Sequence, residues 1–97
     1  MAKTFTLDGT HITTAATFFK AVEAELLVDA RSVTHWSLDV LDDVLEGGYG
    51  IHDLNEPIII HWTNFRRSQE KLAPRFLSKI LDIFRTHHQI ELILDNG

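Results

Sequence analysis

The chain has 97 residues, no cysteine and a formal net charge of −5. That length predicts one domain spanning residues 1–97, and the missing cysteines exclude a disulfide framework, a thiolate metal site and a cysteine nucleophile. A hydrophobic fraction of 44% excludes a disordered chain, and the acidic balance argues against nucleic acid as a direct ligand, because phosphate binding needs clustered Lys and Arg.

The first residues, Met1-Ala2-Lys3-Thr4-Phe5, lack the apolar core of a signal peptide. The longest fully apolar run, Pro57 to Ile60, is too short to span a bilayer. A soluble, cytoplasmic chain with no membrane partner is therefore expected. Lys3 to Leu7 alternates polar and apolar residues and Asp8-Gly9 closes it, which predicts a first strand with one buried face. Thr13 or Thr14 is suited to cap a helix whose stripe is Ala15, Phe18, Phe19, Val22 and Leu26. Leu27 to Thr34 reads as loop. Ser37 is the expected cap of a second helix, which Gly47-Gly48 would end.

Tyr49 to Glu56 reads as another loop. Ile58-Ile59-Ile60-His61-Trp62 is apolar enough to predict a central strand covered on both faces. A short helix is expected between Asn64 and Leu72. Pro74 suits the first position of a longer helix with Phe76, Leu77, Ile80, Leu81 and Phe84 on one side. Gln89 to Leu94 closes the chain as a strand. The order β–α–α–β–α–α–β implies an α/β fold: a three-stranded parallel sheet packed with about four helices.

Charge is segregated along this order. From Ser32 to Phe65 there are six acids (Asp39, Asp42, Asp43, Glu46, Asp53, Glu56) and no Lys or Arg. That segment carries −6 and the remainder +1. At 100° per residue, Leu38, Val40, Leu41, Val44 and Leu45 fall on one side of the second helix, and Asp39, Asp42, Asp43 and Glu46 share an arc of roughly 100° on the other. Four like-charge pairs at three- or four-residue spacing follow, each costing about 0.2–0.5 kcal/mol. A solvated helix face accounts for exposed acids but not for the exclusion of every base from the segment. An unfavourable local arrangement without local compensation points to a working surface.

The stretch Trp36-Ser37-Leu38-Asp39-Val40-Leu41-Asp42-Asp43-Val44-Leu45 resembles the second helix of the barstar family of ribonuclease inhibitors, with Leu38, Asp39, Leu41, Asp43, Leu45 and Gly47 matching its pattern. The likeness extends over nearly the whole chain, through the opening strand, the Phe-rich helix, the strand with Trp62 and the closing aliphatic strand. It implies a 1:1 complex with a ribonuclease or similar basic toxin, in which Asp43 plugs a phosphate-binding centre and Asp39 supports it from one turn earlier. Carboxylates imitate phosphate oxygens for the Arg and Lys of such a cleft. The sequence departs from the family at Thr34-His35-Trp36-Ser37, at Asp42 and Gly48 (aromatic in the relative) and at Thr86 (a carboxylate there), and the final loop is shorter. Those departures imply a cognate enzyme other than barnase.

The expected partner-binding set is His35, Trp36, Ser37, Asp39, Asp42, Asp43, Glu46, Gly47 and Thr86. Trp36 is equally suited to the core and to the rim of an interface. Six histidines invite a metal reading, but His87-His88 would point about 100° apart on a helix, and His61 on the central strand suits a core or interface role. No metal, cofactor or catalytic group is expected. Arg66, Arg67, Lys71, Arg75 and Lys79 read as a solvated basic face, with a second interaction surface as the alternative. The leading expectation is an intracellular immunity protein, monomeric when free, that occludes a nuclease with its acidic helix; the alternative is an adaptor using the same helix on a non-nuclease partner.

Overall fold

The computed structural model describes residues 3–26, 35–46 and 56–96. The expected loops at 27–34 and 49–55 and the Gly47-Gly48 helix stop lie outside them. Three strands, β1 (Lys3–Asp8), β2 (Ile58–Thr63) and β3 (Ile90–Leu94), form a parallel sheet in the order β1-β2-β3. The described helices are α1 (Ala15–Leu26), α2 (Leu38–Glu46), α3 (Phe65–Lys71) and α4 (Pro74–Thr86), with a short 3-10 turn at Gly9–His11 where Asp8-Gly9 closes β1.

Local chemistry accounts for the element ends. Thr14 is the cap of α1: its hydroxyl accepts the Thr17 N–H at 3.1 Å while the Thr17 hydroxyl accepts the Thr14 N–H at 2.8 Å. That reciprocal pair satisfies two amides the first helical turn would otherwise leave open. Pro74 opens α4, where its missing N–H costs nothing. Asn64, at φ 50° and ψ 38°, turns the chain from β2 into α3 in the left-handed region, which Asn adopts more readily than most side chains.

One face of the sheet carries the core. Phe5 and Leu7 of β1 and Ile58, Ile60 and Trp62 of β2 are buried, joined by Phe18, Val22 and Leu26 of α1, Leu41, Val44 and Leu45 of α2, and Leu77, Ile80 and Phe84 of α4. Trp62 sits among them, stacked on Phe18 at 5.6 Å between centroids and edge-on to Phe65 at 5.0 Å. The other face is open to differing degrees: β2 alternates buried with half-buried residues, and Ile93 of β3 is exposed. The expected coverage of β2 on both faces is thus corrected. Ile59 pairs in register with Thr4 and Glu91, so its row is mixed, and its β-branched side chain suits a half-buried strand position as well as a core one.

Candidate functional site

α2 is nine residues long and presents two unlike sides. Leu41, Val44 and Leu45 are buried, while Asp39, Asp43 and Glu46 are exposed. Among the described elements its main neighbour is α4. Burying three aliphatic side chains contributes about 1.5–3 kcal/mol each, which exceeds four like-charge pairs at about 0.2–0.5 kcal/mol each. The core therefore holds an acidic face that the helix alone would disfavour.

The helix starts as its sequence predicts. The Ser37 hydroxyl accepts the Val40 N–H at 3.2 Å and the Ser37 carbonyl accepts the Leu41 N–H at 3.0 Å. Asp39 falls in the first turn, where the helix dipole favours a negative charge. Trp36, immediately before the cap, lies on α1: its indole stacks on Phe19 and its Nε1–H donates to Glu23 Oε2 at 3.2 Å. His35 is exposed at the end of the described segment. Gly47 lies outside the described residues.

The four acids are not equivalent. Among the described residues no cation pairs with Asp39, Asp43 or Glu46, whereas Asp42 Oδ1 lies 2.7 Å from Nε2 of His87. Asp42 is half-buried and His87 is buried, with 8% of its surface exposed. A carboxylate only accepts, so Nε2–H is the donor. Asp42 thus differs from the other three acids, with which it shares one arc of the helix. The geometry assumed for His87-His88 is corrected: α4 ends at Thr86, and His87 is its C-cap, not a helical residue.

The pairing brings two distant parts of the expected set together. Thr86, exposed, donates its hydroxyl to its own helix at Ile83 O, 2.7 Å away, and stands next to His87. Gln89 adds a second reach from the same turn, its Nε2 donating to Leu45 O at 3.4 Å. Asp42 of α2 thus meets the turn that ends α4. His87 and Gln89, which reach α2 directly, and Glu23 of α1, which holds Trp36 just before it, are the residues sequence reasoning missed; each pairs with a residue at least 13 positions away, and no local period reports such a pairing.

The other candidates fall elsewhere. His61 projects on the open sheet face, its Nε2 3.3 Å from Asp95 Oδ2. Arg66, Arg67, Lys71, Arg75 and Lys79 are all exposed along α3 and the start of α4, with Arg66 Nε 3.9 Å from Glu70 Oε1. Among the described residues no helix is long and apolar enough to cross a membrane.

No curated protein matches the chain significantly. A family model does: residues 2–91 match that of barstar, the barnase inhibitor, and with the parallel three-stranded sheet and packed helices already described, the chain belongs to the barstar family of ribonuclease inhibitors.

Proposed function

We propose that this chain is an inhibitor that docks α2 into the basic, phosphate-holding cleft of a ribonuclease and blocks it. The observation that carries the reading is the exposed triad Asp39, Asp43 and Glu46, unpaired among the described residues on a helix whose opposite side buries Leu41, Val44 and Leu45. A carboxylate offers the oxygen pair that Arg grips in a phosphate, so Asp43, supported by Asp39, stands in for substrate phosphate. Family membership supports the same direction, since its members are inhibitors of a ribonuclease and not enzymes. Trp36, His35 and Ser37 belong to the rim beside the first turn of α2, and Thr86 borders it from α4; Gly47, the next residue in the sequence after α2, is proposed for the same set. The complex is 1:1 and forms inside the cell that must be protected.

The test is titration of secreted bacterial ribonucleases, barnase among them, with the purified chain. RNA cleavage by the cognate enzyme is expected to fall to zero at one equivalent, with an association rate that drops steeply as salt is raised. Capture of a partner without nuclease activity, by the same helix, would instead make the chain an adaptor.

A further inference from the structure

We propose that His87 is the positioning residue of the acidic helix: acting through Asp42, it fixes how α2 lies on α4 and so how Asp39, Asp43 and Glu46 are presented. The proposal rests on the reading of α2 as the docking surface.

A helix of nine residues is too short to persist on its own in water. Its three buried aliphatic side chains, Leu41, Val44 and Leu45, hold it to the core and set its rotation coarsely, since turning it would expose them, but apolar burial is non-directional and leaves small rolls about the helix axis open. A directional contact sets that finer angle. The contact between His87 Nε2 and Asp42 Oδ1, at 2.7 Å, has the length of a charge-assisted hydrogen bond. The second reach, Gln89 Nε2 to Leu45 O, is much longer at 3.4 Å and correspondingly weaker.

The imidazole is well placed to be the fixed side of this clasp. The His87 N–H donates to Phe84 O at 3.3 Å, and its carbonyl accepts the Ile90 N–H at 3.0 Å, so its backbone is tied to both α4 and β3. Gln89, two residues on, accepts the Ile58 N–H at 3.0 Å and joins the turn to β2. His87 is buried, so a docked partner meets Asp42 and its neighbours but not the imidazole. Asp42 precedes Asp43 directly and lies one turn from Asp39 and Glu46. Any roll of α2 that opens the clasp swings all three exposed acids.

Amide hydrogen exchange in the free protein tests this. His87→Leu fills the space but cannot donate; His87→Gln keeps an N–H donor. The leucine variant is expected to lose about tenfold in protection at the amides of residues 41–46, with α1 and α4 unchanged, while the glutamine variant stays near the parent. Asp42→Ala, at a half-buried position that tolerates truncation, is expected to reproduce the leucine effect, and the double variant Asp42→Ala/His87→Leu to add nothing to it. Equal behaviour of the leucine and glutamine variants, or a loss spread evenly over α1, α2 and α4, would reduce His87 to core filling and overturn the proposal. Because no partner is present, that failure is separate from a failure to inhibit any ribonuclease.

Discussion

The indole of Trp36 lies almost flat on the ring of Phe19, with centroids 5.3 Å apart and planes 13° from parallel, while its Nε1–H reaches Glu23. Trp36 therefore serves the packing of α2's first turn against α1 while keeping part of its surface exposed. Two substitutions separate its contributions. Trp36→Phe keeps a ring against Phe19 and loses the hydrogen bond, an expected cost of about 0.5–1.5 kcal/mol. Trp36→Ala loses both and is expected to cost about 2–4 kcal/mol, less than a fully buried tryptophan would. Urea unfolding followed by circular dichroism checks both; equal stability of the two variants would remove the ring stack from the account.

Ser68 carries a buried relay that no apolar residue replaces. It accepts the Trp62 Nε1–H at 3.1 Å and donates to Gly9 O at 3.1 Å, and it is fully buried. Ser68→Ala strands a donor and an acceptor together in the core, and a loss of about 1–3 kcal/mol is expected. Gly9→Ala is expected to be worse, because the added methyl meets the backbone oxygens of Asn64 and Thr63, which have no room to retreat. The measurement is the denaturation midpoint of each variant. A Ser68→Ala protein as stable as the parent would mean that the relay contributes nothing.

Period-based signals were legible in the sequence, and pairings across the chain were not. The strands, the amphipathic α4 and the Ser37 cap follow from alternation, from apolar stripes and from capping chemistry within a few residues. The three isoleucines at 58–60 misled because an apolar run does not say whether one face or both are covered; only the register against Thr4 and Glu91 does. Asp42 looked like its neighbours on the helical wheel. What sets it apart is His87, 45 residues later, which the sequence offered only as one of two adjacent histidines. The exposure of Asp39, Asp43 and Glu46 was readable, but the pairing of Asp42 came only with tertiary packing.

Asp8 gives the fold a specific response to acid. The Thr10 backbone N–H, donating at 3.0 Å, and then the Asn64 amide, donating at 3.2 Å, hold its carboxyl below the ordinary 3.8, against a small opposing effect of burial. A carboxylate with a lowered folded pKa adds stability above its unfolded pKa and loses it as pH falls through the folded one. The contribution is therefore present above pH 3.8 and disappears below it. Asp8 is exposed, so the effect is small. Carboxyl resonances followed by NMR are expected to show Asp8 titrating below 3.8, and Asn64→Ala is expected to move its midpoint upward. An unchanged midpoint in that variant would show that the Asn64 contact does not act on the charge.

Asp43 is the residue for which stability and binding are expected to part company. It is exposed, no cation pairs with it among the described residues, and it stands four residues from Asp39 and three from Glu46. Asp43→Asn keeps the shape and removes the charge, relieving two repulsive neighbours at about 0.2–0.5 kcal/mol each. The free variant is expected to melt at the parent temperature or slightly above it. Against the cognate ribonuclease the same change removes one member of a buried charge pair, and inhibition is expected to weaken by about 2–5 kcal/mol. Thermal unfolding and an inhibition titration on the same preparation supply both numbers. A lowered melting temperature with undiminished inhibition would make Asp43 a structural residue and shift the binding role to Asp39 and Glu46.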